Sequence, residues 1–264
     1  MGPDSSEIPL SGGTLNTVVR VGDTVRRRPG PWTPAVHDLL HHVRARGFTL
    51  APEPLGFDES GREVLRYIPG DTTGWQLPWP EWVRSGAVLA EVGTALAAYH
   101  RAVSDFRPEG QVPWQWGPAR LGDTDIVCHH DVAPYNVVAR NGGLVGIIDW
   151  DLAGPGRAVS DLAFAAWQWV PLHGPFVTSL MGWDTAPDRS RRLRLLLDAY
   201  GLEDRSDFVA AVAERIRLNR SVMLDRAAAG DAAYQALVDQ GHVGGMDEAL
   251  RYLEEEGPRL QAQL

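Results

Sequence analysis

Apolar and polar positions alternate with two different periods along this chain. Near the start the period is that of strands. Residues 8–10, 17–21 and 24–28 are short apolar or β-branched runs, separated by Ser11-Gly12-Gly13 and by Gly22-Asp23, and they predict three short strands. Residues 62–68 read as a further strand, broken by Pro69-Gly70. Between these runs Val36, Leu39, Leu40 and Val43 recur at helical spacing. Thr33 is expected to cap that helix, Pro34 to take its first position and Gly47 to end it. In the later, larger part helical spacing dominates, and from Ser190 onward the chain reads as helical throughout. Leu89, Val92, Leu96, Tyr99 and Val103 form one stripe, with His100 at its end as a structural residue. Residues 162–170 are apolar all round, which implies a buried helix. Leu193, Leu196, Leu197 and Tyr200 form another stripe, closed by Gly201. Ser206 is expected to cap a longer helix with Val209, Val212, Ile216 and Met223 inward, and further helices are expected near 232–238 and 246–253.

The exception within the helical part is the stretch IVCHHDVAPYNVVARNGGLVGIIDW, residues 126–150. Residues 136–140 and 144–148 are β-branched runs, and Asn141-Gly142-Gly143 between them tolerates the positive φ of a tight turn. This hairpin returns the chain on itself, so Asn136 and Asp149 finish near each other, while Asp131 lies on the loop that feeds it. A carboxylate, an amide oxygen and a second carboxylate thus converge. Hard oxygens of this kind suit Mg²⁺, which borrows further oxygens from phosphates. His129 and His130 beside the aspartates admit a zinc site as the alternative, although neither a helical His pair nor a Cys-x-x-Cys unit is present.

Composition narrows the partners. At 264 residues the chain is long enough for one large domain or two lobes around a cleft. A net charge of −9 argues against nucleic acid and is compatible with a cationic small substrate. Cys128 stands alone, which rules out an internal disulfide and fits a reducing, cytoplasmic setting. Its apolar strand context reads as a buried thiol. No apolar run approaches a membrane span, so no membrane association is expected; Met1-Gly2-Pro3 matches the myristoylation pattern poorly. The chain contains no lysine, so every basic side chain is arginine.

CHHDVAPYN followed by IIDW resembles the catalytic signature of the aminoglycoside phosphotransferase-like family, small-molecule relatives of the protein kinases. The resemblance implies a two-lobed, kinase-like α+β fold. Residues 1–69 would form a small antiparallel-sheet lobe that binds nucleotide, and residues 70–264 a larger, mostly helical catalytic and substrate lobe. It implies transfer of the γ-phosphoryl of ATP or GTP, with Mg²⁺, to a hydroxyl of a small molecule, for which an antibiotic is one candidate. Asp131 would orient and deprotonate the acceptor hydroxyl, and Asn136 and Asp149 would hold the metal. His129 would brace the loop, and His130 stands where a glycine is common. The turn of Gly12 and Gly13 would lie over the phosphates. Because strand side chains alternate faces, a Val25 that faces adenine puts Arg27 on the phosphates, where the family uses lysine. The helix that normally supplies a glutamate partner offers only Val36, His37 and Asp38. Either His37 or Asp38 then orients Arg27, or the arginine lacks a partner from that helix. Backbone groups from Arg66 to Ile68 would meet the base. Asp161 is expected to cap its helix and brace the catalytic loop. Asp151 is either an aid to the metal or a solvated charge, and Trp114 and Trp116 either a substrate wall or anchors. Asp225, Asp231 and Glu214 are candidates for meeting a cationic acceptor. Two rivals remain: a nucleotide-binding pseudokinase, and a metal-dependent phosphoesterase built on His129 and His130.

Overall fold

A computed structural model of the chain describes residues 6–10, 18–74 and 76–264. The expected phosphate turn of Gly12 and Gly13, the start of the chain and Trp75 lie outside the described residues. The chain divides into two compact units: Met1–Trp75 with Ala95–Asp161, and Gln76–Thr94 with Leu162–Leu264.

The first unit carries a five-stranded antiparallel sheet. Its strands are β1 (Glu7–Pro9), β2 (Val19–Val21), β3 (Thr24–Arg27), β4 (Pro54–Phe57) and β5 (Glu63–Arg66), in the order β1-β2-β3-β5-β4. β4 is absent from the sequence reading, since its Pro54 and Gly56 are poor strand formers. The Asp58 carboxylate builds the β4–β5 turn by accepting from the Ser60 and Arg62 amides at 3.0 and 2.9 Å. Helix α1 (Thr33–Ala45) follows β3, with Val36, Leu39, Leu40 and Val43 buried as their spacing predicts. Its cap position is Trp32 rather than Thr33, because the Thr33 hydroxyl instead accepts from the Gly30 amide at 2.9 Å. Two small ladders complete the unit. β6 (Ile126–Cys128) pairs with β9 (Gly154–Gly156), and β7 (Val137–Arg140) pairs with β8 (Gly143–Ile147). Asn141 and Gly142 take φ of 54° and 78° in the turn, as an Asn-Gly hairpin requires. Tyr99 ties this part together. Its ring packs on Phe48 and Trp150 at centroid distances of 5.6 and 4.9 Å, and its hydroxyl donates to the Val127 carbonyl at 2.6 Å.

The helices of the second unit are α2 (Glu81–Arg84), α3 (Gly86–Val103, of which residues from Ala95 belong to the first unit), α4 (Ala158–Trp169, from Leu162), α5 (Pro175–Leu180), α6 (Arg189–Tyr200), α7 (Phe208–Ala228), α8 (Ala232–Asp239) and α9 (His242–Gln261). Val88, Leu162, Leu193, Leu196, Val212, Ile216 and Leu260 are buried among them. Gly93 allows close approach, since a Cβ there would lie 2.7 Å from the Leu196 carbonyl oxygen. The α4 C-terminus meets cations: Arg192 donates to the Trp169 carbonyl and Arg189 to the Pro171 and His173 carbonyls, each at 2.8–2.9 Å. Burial pushes the Arg192 pKa down to about 10. α7 has Asp207, not Ser206, at its cap position. Asp231, a candidate for meeting substrate, caps α8 by accepting from the Ala233 amide at 3.1 Å. Asp225 accepts from Ser221, and Glu214 is exposed. Among the described residues no helix is long and apolar enough to cross a membrane.

The β6–β9 ladder stands directly behind the Asp131 loop, and it leaves no room at Gly154, where a Cβ would lie 2.1 Å from the Trp116 carbonyl oxygen. Gly154→Ala is therefore expected to force these backbones apart and to cost about 1–3 kcal/mol, read as a lowered urea midpoint at an unchanged m-value.

Candidate functional site

The site begins with how the chain leaves β6. After Cys128 the backbone turns sharply, and His130 takes a φ of 67°, a region where glycine is favoured. The imidazole there offsets the strain. It donates from Nε2 to the Gly154 and Pro155 carbonyls at 3.1 and 3.3 Å and packs against Trp116, with ring centroids 5.5 Å apart. Trp114 and Trp116 are both buried, so they anchor the connector instead of forming a substrate wall. His129 is a brace in full. Its Nε2 donates to the Ile148 carbonyl at 3.1 Å, its Nδ1 accepts from the Asp131 amide at 3.2 Å, and its ring stands edge-on to Trp150 at 4.5 Å. Burial lowers its pKa, which keeps the imidazole neutral.

Behind both histidines lies Asp161. Its two carboxylate oxygens accept from the His129 and His130 amides at 3.0 and 2.8 Å, and Oδ2 also meets His100 Nε2 at 3.1 Å. Burial alone would raise its pKa, but the hydrogen bond from His100 and the nearby imidazoles outweigh that and hold it far below the usual carboxylate range. Asp161 lies inside the first turn of α4, which starts at Ala158, so it braces the loop without capping the helix.

Asp131 and Asn136 are in direct contact. The Asn136 Nδ2 donates to the Asp131 carboxylate at 2.8 Å and to its carbonyl at 3.0 Å, while the Tyr135 hydroxyl donates to the other carboxylate oxygen at 2.9 Å. With its nitrogen turned to Asp131, Asn136 presents its amide oxygen the other way. The Asn136 carbonyl accepts from the Ile148 amide at 2.9 Å, which extends the β7–β8 ladder by one pair and puts Asp149 next in line. Asp149 has a φ of 59°, and its side chain is 50% exposed. Tyr135 is a contact that the sequence reading missed.

Arg27 reaches the same place from the sheet, with one carboxylate on each guanidinium nitrogen. Nε donates to Glu63 at 2.5 Å, one terminal nitrogen to Asp149 at 3.2 Å and the other to Asp151 at 2.6 Å. Arg26, on the other face, turns to Asp58 at 3.4 Å. Glu63 lies directly opposite Arg27 on β5 and is fully buried; its second oxygen meets His37 Nε2 at 2.9 Å. The arginine thus has a glutamate partner, supplied by the neighbouring strand, and α1 contributes His37 behind it. Burial would raise the Glu63 pKa, yet the His37 hydrogen bond and the Arg27 charge hold it low. For Arg27 the charges of Asp151, Glu63 and Asp149 outweigh burial and raise its pKa. Asp151 moves up to about 6, first through burial and then through its neighbours Asp149 and Glu63, against the pull of Arg27.

In the expected hinge, the Arg66 and Tyr67 amides are engaged by the Glu53 and Asp23 carbonyls at 2.8 Å, and the Arg66 side chain pairs outward with Asp23 and Glu53. Ile68 lies against Gly146 of β8, where a Cβ would come within 2.7 Å of it. Among the described residues no group of three or more His, Cys, Asp or Glu is arranged to hold a metal unaided.

Comparison with known proteins places this geometry. Residues 111–195 match the model of the phosphotransferase enzyme family, APH. The trifolitoxin immunity protein of Rhizobium leguminosarum bv. trifolii is 38% identical over 211 residues, which is 78% of this chain and 78% of that protein. The chain belongs to the APH phosphotransferase family. Solved structures agree on the fold. A choline/ethanolamine kinase family protein from Mesorhizobium loti superposes with a TM-score of 0.62 at 23% identity, covering 99% of this chain and 93% of the other. A macrolide 2'-phosphotransferase from Brachybacterium faecium does so with a TM-score of 0.55 at 14% identity, covering 96% and 94%. The APH fold, a small antiparallel sheet with a helical body, is the kinase-like α+β class expected from the sequence. The matched segment holds Asp131, Asn136, Asp149, Asp151 and Asp161, whereas Arg27, His37 and Glu63 lie outside it.

Asp161→Asn keeps the shape but removes the charge that holds His100 and two loop amides, and should cost about 3–5 kcal/mol at neutral pH. Because the folded pKa of Asp161 is depressed, its contribution is present above the unfolded value of about 4 and fades as pH falls below that. Urea unfolding should therefore show the gap between wild type and variant narrowing in acid.

Proposed function

We propose that this protein transfers the γ-phosphoryl group of a nucleoside triphosphate to a hydroxyl of a small molecule. The observation that carries the reading is the Asp131–Asn136 contact, with Asp149 following on the same ladder and tied to the cation Arg27. Asp131 is oriented by donors on both carboxylate oxygens, Tyr135 and Asn136, so it is fixed in place before an alcohol arrives. It takes up the hydroxyl proton as the alcohol oxygen bonds to the γ-phosphorus and the bond to the bridging β-phosphate oxygen breaks, releasing the nucleoside diphosphate.

The residues present suit Mg²⁺. Asn136 turns its oxygen away from Asp131, and Asp149 offers a half-exposed carboxylate; both are hard donors, too few to hold a metal without phosphate oxygens. When bound, the ion would neutralise charge on the transferring phosphoryl. Arg27 would grip the phosphates and the backbone at Ile68 the base, with ATP and GTP both open as donors. The phosphoesterase alternative is weakened at its imidazoles, since both nitrogens of His129 and Nε2 of His130 are engaged by backbone groups. Of the two absences that motivate a turnover-free pseudokinase, the lysine and its glutamate partner, the second is made good by Glu63 on β5, while arginine stands in for the first.

For the acceptor, the 38% identity to a trifolitoxin immunity protein favours a protective role against a toxic small molecule or peptide over a role in metabolism. A cytoplasmic site of action fits such protection.

Asp131→Ala should keep nucleotide binding and lose transfer by about 10²-fold or more; undiminished turnover would remove Asp131 from the mechanism. Asn136→Ala and Asp149→Ala should instead weaken Mg-nucleotide binding in titration calorimetry. Incubation with ATP or GTP and a panel of trifolitoxin, aminoglycosides, macrolides and amino alcohols, read by mass for an added phosphate, identifies the acceptor. No phosphate gain on any alcohol, together with no nucleotide binding, would sink the proposal.

A further inference from the structure

The three carboxylates around Arg27 are not equivalent. Glu63 is fully buried, its oxygens are divided between Arg27 and His37, and the His37 ring is itself stacked on Phe57 at 5.2 Å. Glu63 and Arg27 are register partners on adjacent strands, so the sheet fixes their separation. If that contact broke, a carboxylate would be left unpaired where water does not reach, a cost that proteins avoid. Asp149 and Asp151 are different. Their side chains are 50% and 21% exposed, and the Asp149 contact is the longest of the three at 3.2 Å. Water or another ion can replace Arg27 at either of them. Arg27 also occupies one Asp149 carboxylate oxygen, Oδ1, and so competes with any cation for that side chain.

We propose that Glu63, backed by His37, is the fixed pivot of Arg27, and that Asp149 and Asp151 hold the other two guanidinium nitrogens only until phosphate oxygens replace them. Glu63 and His37 are then positioning residues, and Arg27 is a built-in competitor of the metal. In the nucleotide-free protein the guanidinium offsets part of the carboxylates' charge and competes with a divalent cation for Asp149 and Asp151. The phosphates draw the two terminal nitrogens away, and Asp149 becomes available to the metal that arrives with the nucleotide. Guanidinium suits this exchange because it can keep one nitrogen on Glu63 while two others change partners, which a single ammonium cannot do. The proposal rests on the phosphotransfer reading for its second half, the exchange with phosphate. Its first half, the clamp, does not.

The test separates the two halves. Mn²⁺ is titrated into the nucleotide-free protein, followed by paramagnetic resonance of the free ion. Magnesium complexes of non-hydrolysable ATP and GTP analogues are titrated by calorimetry. Both are done on wild type, Arg27→Gln, Glu63→Gln and the double variant, each checked for thermal unfolding. Wild type should bind Mn²⁺ weakly and Arg27→Gln about tenfold more tightly; equal or weaker binding would overturn the clamp. Glu63→Gln should weaken nucleotide binding by about tenfold without improving Mn²⁺ binding, and should add nothing in the Arg27→Gln background. A Glu63→Gln effect that persists without Arg27 would mean that Glu63 merely holds the sheet, and would overturn the pivot. Should Glu63→Gln fail to fold, His37→Gln loosens the same carboxylate from behind and carries the same expectation. If wild type binds neither nucleotide, the phosphotransfer reading fails and the exchange fails with it, while the Mn²⁺ comparison still decides the clamp.

Discussion

A single guanidinium surrounded by three carboxylates organises this site. Arg27 supplies one positive charge where Glu63, Asp149 and Asp151 supply three negative ones, and the side chain is mostly shielded from water. At reduced dielectric such an excess is costly; burial first, and then the charges of Asp149 and Glu63, push the Asp151 pKa up to about 6. A divalent cation on the half-exposed Asp149 carboxylate would reduce that excess.

The opposite principle governs the loop that carries Asp131. There one fully buried carboxylate, Asp161, is satisfied on every side by two amides and an imidazole, and the loop it holds is further tied by His129 to the backbone before Asp149. Fully satisfied buried networks rigidify, and partly satisfied ones respond. The protein uses both a few residues apart: a saturated network under the loop, and an unsaturated one at the mouth of the sheet.

Much of the fold was legible because burial has a period. The stripes of α1 and α3 were named residue by residue, and the Asn141-Gly142 turn and its flanking runs could be read from backbone preference alone. The meeting of Asp131 with Asn136 follows from local chain geometry, so the motif was readable as a unit. What escaped the reading is non-local or chemically quiet. Glu63 has no marker in its own stretch; it matters only because register sets it across from Arg27, and register is a property of the paired strands. β4 hides behind a proline and a glycine. Thr33 and Ser206 are good caps by type, but the chain enters both helices differently, and at Thr33 the hydroxyl serves the preceding turn instead. Tyr135 carries no distinguishing signal between Asp131 and Asn136 in the sequence, and only its hydroxyl's contact with the Asp131 carboxylate reveals a role.

The left-handed backbone at His130 has one more implication. A residue with a side chain is held there at an energetic cost, against an imidazole wedge that a glycine could not provide. A hinge needs the reverse arrangement, small residues with little to lose on bending. The turn beneath Asp131 is therefore built as an anvil: in the proposed reaction the alcohol would be carried to a carboxylate held in place, and any adjustment that admits or releases it would be borne by other parts of the chain.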